Sequence, residues 1–207
     1  MSDFDVKRIA ARADLCRLLA ACYYQPGPEF AEERVFDSMR VAAAEVDAGM
    51  ASLVDALAQG FDAQPMEELQ IAYTRLFLNP SGPLASPYES AWIAGRDPML
   101  VDETTQSVLD SYRAGGYDVD LSFRDLPDHV AAELEFLYAL IFREARAAAS
   151  GNDAERAEAV DLRRRFVELH LGRWVGPFTA AMREGGETTL YRFLADLTER
   201  FVESERR

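Results

Sequence analysis

The spacing of apolar residues constrains this chain more than any other feature. Nearly every segment repeats them at helical period, and almost none alternates at the period of two expected of a strand. The pattern therefore predicts an all-α fold. Hydrophobic residues make up 49% of the 207 residues, which is enough for a sizeable core in one domain. We predict a single domain over residues 1–207, a bundle of about eight or nine helices.

Breaker residues divide the periodic stretches into separate helices. QPGP at 25–28 and SGND at 150–153 each end a helix, and the pair Gly115 and Gly116 ends another. Two connections are long for a bundle, a Pro-rich loop at 79–92 and a hinge-like connection at 115–126. The predicted helices cover 4–24, 29–47, 50–60, 65–77, 100–114, 125–150, 153–171, 173–184 and a final segment after GGE.

The Pro-rich loop contains aromatic and acidic residues that a simple spacer would not require. NPSGPLASPYESAW has three prolines and a glycine, yet its last six residues include Pro87, Tyr88, Glu89 and Trp92. Without further information, we interpret it as a loop that folds back onto the bundle and is anchored by Trp92.

The net charge of the chain favours some classes of partner over others. With 36 Asp and Glu against 22 Lys and Arg, the net charge of −14 disfavours nucleic acid and favours cationic partners. The run Arg163 to Arg165 is interpreted as a solvated helix face. We interpret Cys16 and Cys22 as buried apolar residues.

No apolar run approaches the roughly twenty residues of a membrane span, so we predict a cytoplasmic protein without stable membrane insertion.

Known catalytic and metal motifs are missing from the sequence. It has no GxSxG elbow, no phosphate-binding glycine loop and no Glu-x-x-His pair, and it has two histidines in all. We therefore predict no catalytic residue, no metal site and no cofactor.

One polar cluster remains, at the start of the longest helix: Asp125, Asp128, His129 and Glu133. His129 and Glu133 are four residues apart, so their side chains can meet on one face. Asp125 or Asp128 can cap the helix. Two interpretations stay open, a helix cap with a local ion pair and a functional site. Tyr73 and Phe77, at helical spacing, are likewise either core residues or site residues.

Three motifs in order carry a resemblance to a known family: YTRLF (73–77), SPYESAW (86–92) and DLPDHVAAELEFL (125–137). With FVELHLGRWVGPF (166–178) and YRFLADLT (191–198), the chain resembles the TorD/DmsD/NarJ family of redox-enzyme maturation chaperones. The most specific element is PDH-x-x-x-E-L-x-F combined with the upstream PYES.

The resemblance implies a TorD-like helical fold and a function in binding. Its partners would be the twin-arginine leader and the apo catalytic subunit of a DMSO-reductase-type molybdenum oxidoreductase, with molybdenum cofactor biosynthesis proteins as further candidates. The chaperone would assist cofactor insertion and delay export, as a monomer or a domain-swapped dimer. The leader-binding residues implied by motif position are Tyr73, Phe77, Pro87, Tyr88, Glu89, Trp92, Asp128, His129 and Glu133.

Two other functions are compatible with the sequence. One is a small nucleotide hydrolase that uses the His129 cluster, although no phosphate-binding loop supports it. The other is a helical regulatory domain whose aromatic loop lines a pocket for a small ligand.

Overall fold

The prediction of an all-α fold is confirmed. The computed structural model describes residues 3–79, 81–93, 98–118 and 125–206, and within these ranges it contains eleven α-helices, one π-helical segment and no strand. None of the described helices is both long and apolar enough to cross a bilayer. The helices are α1 Asp3–Ala21, α2 Glu29–Glu32, α3 Val35–Val46, α4 Ala48–Asp62, α5 Met66–Tyr73, α6 Glu89–Ile93, α7 Pro98–Ala114, α8 Val130–Ser150, α9 Asp153–Leu169, α10 Leu171–Gly185 and α11 Thr189–Glu205.

Two short helices raise the number above the predicted eight or nine. The expected helix at 29–47 is split into α2 and α3 because Arg34 has φ 53° and ψ 47°, a left-handed conformation that interrupts the helical backbone. The Pro-rich loop contains the other short helix, α6, in its last residues. Of the hinge-like connection at 115–126, residues 119–124 lie outside the described ranges.

A π-helical segment, Thr74–Leu78, continues α5 up to the Pro-rich loop. Such segments are rare and usually occur as a single turn within an α-helix. Both Tyr73 and Phe77 are buried here. The ring of Phe77 lies 5.2 Å from that of Tyr73, 5.7 Å from Tyr191 and 6.3 Å from Phe178, measured between centroids. These aromatic rings join α5, α10 and α11 in one core.

The interpretation of Arg163 to Arg165 as a solvated face is wrong for Arg163. Its side chain is buried and forms ion pairs with Glu144 of α8 at 3.4 Å and with Glu205 of α11 at 2.9 Å. Arg12 of α1 pairs with the same two carboxylates, at 3.4 and 2.5 Å. We call these four residues the arginine–glutamate network. They link α1, α8, α9 and α11, while Arg164 and Arg165 are exposed.

Candidate functional site

The end of the Pro-rich loop is joined by main-chain pairing to the start of α8. Tyr88 and His129 form an isolated antiparallel bridge. The pairing brings together five of the predicted site residues, which lie about forty positions apart in the sequence. Its hydrogen bonds run from Glu89 N to Asp128 O at 2.9 Å and from Val130 N to Pro87 O at 2.8 Å.

The helix caps differ from the prediction. Asp128 does not cap α8, because its carboxylate accepts a hydrogen bond of 3.0 Å from the Ser90 N–H in the first turn of α6. The cap of α8 is His129, whose Nδ1 accepts from the Ala131 N–H at 3.1 Å. Asp125, the other predicted cap, accepts from the Tyr88 hydroxyl at 2.6 Å. Each acidic residue therefore stabilises the loop and not its own helix.

His129 is a neutral ring in this arrangement. An Nδ1 that accepts a hydrogen bond carries no proton. Burial lowers the pKa of His129, and the nearby carboxylates of Asp125 and Asp128 offset this only in part. The ring also packs edge-on against Tyr88, with 5.3 Å between centroids. His129 therefore caps α8 through Nδ1 and packs against Tyr88 through its ring.

The Glu133 side chain bonds to Trp174, and no side-chain hydrogen bond or ion pair joins it to His129, although the spacing allows these two side chains to meet. Its carboxyl is fully buried, and Oε2 accepts a hydrogen bond of 3.3 Å from Trp174 Nε1 of α10. Burial raises the pKa of Glu133 well above its usual range, and the adjacent carboxyl of Glu89 raises it further.

Glu89 belongs to a buried chain of polar groups that the sequence did not indicate. Its Oε2 lies 3.0 Å from Nδ1 of His170, and Nε2 of the same ring lies 2.9 Å from Oγ of Ser111. Because 81 residues separate Glu89 from His170, no local spacing could predict their contact. His170, Trp174, Ser111 and Ser90 are thus site residues that sequence analysis missed. We call Glu89, Asp128, Glu133 and His170 the carboxylate cluster.

Above the carboxylate cluster, several side chains remain exposed to solvent. Asp125 and Glu135 are exposed, Leu126 keeps 47% of its surface and Tyr24 keeps 41%. The Tyr24 hydroxyl donates to Glu135 at 2.8 Å. Burial raises the pKa of Tyr24, and Glu135 and Asp125 raise it further, so both carboxylates lie near one ring. We call Tyr24, Tyr88, Asp125, Leu126 and Glu135 the acidic–tyrosine face.

Two further predicted residues, Trp92 and Tyr73, pack against neighbouring groups of the bundle. Trp92 anchors the loop as predicted, since its Nε1 donates to the Ser86 carbonyl at 2.8 Å and its ring packs against Phe178. Tyr73 is buried, and its hydroxyl donates to the Tyr23 carbonyl at 3.1 Å. Burial raises the pKa of Tyr73 to about 12, so its hydroxyl keeps its proton at neutral pH.

In the described part of the chain, neither a group of metal ligands nor the cleft beside α1 coincides with the carboxylate cluster. No three or more His, Cys, Asp or Glu side chains there are arranged to hold a metal ion. A cleft of about 1030 Å³ is lined by Arg12, Arg163 and Glu205 of the arginine–glutamate network and does not include the carboxylate cluster.

Comparison with known proteins supports the resemblance. Residues 42–180 match the family described as nitrate reductase delta subunit. The chain is 27% identical to the chaperone protein TorD of Shewanella pealeana over 168 residues, which are 78% of this chain and 70% of that protein. It is 34% identical to the perchlorate reductase assembly chaperone protein of Dechloromonas aromatica over 96 residues, 45% of this chain and 41% of that one.

A solved structure shares the fold. The crystal structure of a protein described as a redox enzyme maturation protein, from Archaeoglobus fulgidus, superposes with a TM-score of 0.55 over 93% of both chains. At 19% identity, this likeness supports the architecture alone.

Proposed function

We propose, because this chain belongs to the nitrate reductase delta subunit family of redox-enzyme maturation chaperones, that it binds the twin-arginine leader of a molybdenum-containing reductase. It acts by binding and is not an enzyme. In the cytoplasm it would hold the apo catalytic subunit, assist insertion of the molybdenum cofactor and delay export until the subunit is mature. Proteins that synthesise the cofactor are further candidate partners.

One observation carries the proposal: the pairing of residues 87–89 with 128–130 puts an acidic and aromatic surface at the junction of loop and helix. A twin-arginine leader has two guanidinium groups followed by an apolar stretch. Its receptor needs carboxylates beside apolar surface. Asp125 and Glu135 supply the carboxylates, and Tyr24, Tyr88 and Leu126 supply rings and an alkyl group.

Exposure decides which carboxylates contact the arginines. Asp128 and Glu133 are fully buried and Glu89 is 1% exposed, and all three already have partners inside the protein. The exposed pair, Asp125 and Glu135, is accessible to a peptide. Each accepts a hydrogen bond from one tyrosine and has lone pairs left for a guanidinium.

The predicted site residues then have two different tasks. Tyr88 and Trp92, which are half-buried, contact the leader. Tyr73, Phe77, Pro87, Glu89, Asp128, His129 and Glu133 hold the surface in shape. The net charge of −14 increases the rate at which a cationic leader associates.

The test is a titration of the leader peptide from a genomically linked molybdenum reductase, measured by calorimetry. Replacing both exposed carboxylates, as D125N with E135Q, should weaken binding about tenfold or more, because two charge-assisted hydrogen bonds are lost. The control is D55N with D62N, which removes the same two charges from exposed positions on α4. Equal weakening by both double variants would show that net charge alone attracts the peptide. A scrambled leader of equal charge that binds as tightly as the true one would disprove the proposal.

A further inference from the structure

The carboxylate cluster brings three acidic groups together inside the protein. Asp128, Glu89 and Glu133 are at most 1% exposed. Their hydrogen-bond donors are the Ser90 N–H, the Thr105 hydroxyl, the Trp174 ring N–H and His170. No Lys or Arg of the described ranges forms an ion pair with any of the three. Three buried negative charges in this setting would be strongly unfavourable.

One oxygen in the cluster has no donor. Glu133 Oε2 accepts from Trp174, but Oε1 is buried and receives no hydrogen bond from any N–H or O–H of the described residues. The Glu89 carboxyl is buried beside Glu133 and raises its pKa, through its charge and through side-chain hydrogen bonding. Two ionised carboxylates at this distance would repel each other in a medium of low polarity, whereas one shared proton turns the contact into a hydrogen bond.

The rest of the polar chain fits this arrangement. With its proton on Nδ1, the His170 ring donates to Glu89, and its Nε2 accepts from the Ser111 hydroxyl. Glu89 is then the common acceptor of two donors, one from each side. Every polar atom from Ser111 to Trp174 along this chain has a partner.

We propose that Glu133 keeps its proton at neutral pH and donates it to Glu89, and that this hydrogen bond fixes α6 against α8. Glu133 is thereby a positioning residue for Tyr88, which precedes α6, and for Trp92, which lies within it. The link between α6 and α8 does not depend on the nature of the ligand. Its effect on leader affinity rests on the proposed function.

The pH dependence follows from the groups that face Glu133. These are Glu89 on α6, Asp128 before α8, Trp174 on α10 and Tyr112 on α7, whose pKa is raised by burial and then by Glu133. Because the folded state favours the protonated form, the contribution of Glu133 to stability is complete below the unfolded value near 4.5 and is lost as the pH rises. We therefore expect the amides of α6 to exchange with solvent faster once Glu133 ionises.

The test uses the isosteric variant E133Q, whose amide can donate to Glu89 and accept from Trp174. Infrared spectra of the wild type at pH 7 should contain the carbonyl band of a protonated, hydrogen-bonded carboxylic acid, and E133Q should lack it. E168Q, at an exposed position on α9, should keep the band. If E133Q leaves the wild-type spectrum in this region unchanged, or if the carboxyl ¹³C resonance of Glu133 titrates near pH 4.5, Glu133 is ionised and the proposal is wrong.

A second measurement separates this proposal from the function. Protection of the Ser90 and Trp92 amides, corrected for intrinsic exchange, should fall at least about tenfold in E133L and stay within about twofold of wild type in E133Q. If the infrared band is present but no leader binds, the shared proton stands and the proposed function fails. Should E133L not fold, the spectra of wild type and E133Q decide alone. Protection that falls equally in E133Q and E133L would show that Glu133 acts as an anion, against the proposal.

Discussion

The arginine–glutamate network and the carboxylate cluster are both buried, but they differ in how their charges are compensated. The arginine–glutamate network sets two guanidinium groups against two carboxylates, so its charges cancel. The carboxylate cluster has three acidic groups, and among the described residues their hydrogen-bond donors are neutral groups or a histidine. The first cluster holds four helices together. The second lies under the surface that we propose binds a cationic peptide.

The pKa directions express the same contrast. Burial by itself would lower the pKa of Arg12, but the hydrogen bond and charge of Glu205 outweigh it and the pKa rises. In the carboxylate cluster, burial and the neighbouring carboxyl of Glu89 act together and raise the pKa of Glu133. The network is not uniform, because at Arg163 burial outweighs the charges of Glu205 and Glu144 and lowers the pKa.

The largest expected effect comes from breaking the balanced cluster. R163M should lower the free energy of unfolding by about 3–5 kcal/mol, because Glu144 and Glu205 lose a buried partner. Urea denaturation measures this loss. The control is R165M, whose exposed pair with Asp161 should contribute less than about 1 kcal/mol. Similar losses in the two variants would contradict the assignment of Arg163 to the network.

One substitution made in both clusters sharpens the comparison. E205Q should lower the free energy of unfolding by about 2–4 kcal/mol at pH 7, since two arginines lose their shared carboxylate. E133Q should raise it, by on the order of 1 kcal/mol, because the unfolded chain no longer gains by ionising this residue. Denaturation of both variants at one pH gives the answer. Losses of the same sign would mean that Glu133 is charged in the folded protein.

Removing a neutral donor from the carboxylate cluster should have a smaller effect. W174F deletes the N–H that reaches Glu133 and should cost about 1–3 kcal/mol, since a buried acceptor is left without a partner. W92F is the control, because the Ser86 carbonyl that it frees is half-exposed and can bind water. Thermal unfolding of both variants tests the difference, and a greater loss in W92F would contradict it.

The smallest effect concerns pH. The pKa of His129 is lowered in the folded protein, so its contribution to stability is present above about 6.5 and is lost as the pH falls. Between pH 7 and pH 5 the wild type should therefore lose on the order of 1 kcal/mol that H129N, which retains a cap acceptor, does not lose. Parallel stability curves for the two proteins over this range would refute the assignment.

The sequence was a good guide wherever one local pattern decided the structure. The helix predicted at 65–77 is present as α5 and its π-helical continuation, and Tyr73 and Phe77 are both buried in the core. Arg34 shows the limit, since an arginine in the left-handed region carries no recognisable signal and splits a helix that the pattern made continuous.

The site was harder to predict because its contacts join distant positions. Proximity in sequence allows His129 to meet Glu133 and allows Asp125 or Asp128 to cap α8. Asp128 instead reaches across to α6, which leaves the cap to His129, a residue type not among the usual N-caps. The partner of Glu89 lies 81 residues away, and only the fold brings the two together.

The antiparallel bridge between Tyr88 and His129 also bears on how such a protein can change over evolution. Residues 81–84 are exposed, so insertions and deletions there alter only the path of a loop. A single residue gained or lost between Pro87 and Ser90 would shift the register by one and turn alternate side chains to the opposite face. We therefore expect relatives to vary in length before Ala85 and to keep a constant length from Pro87 to Ser90.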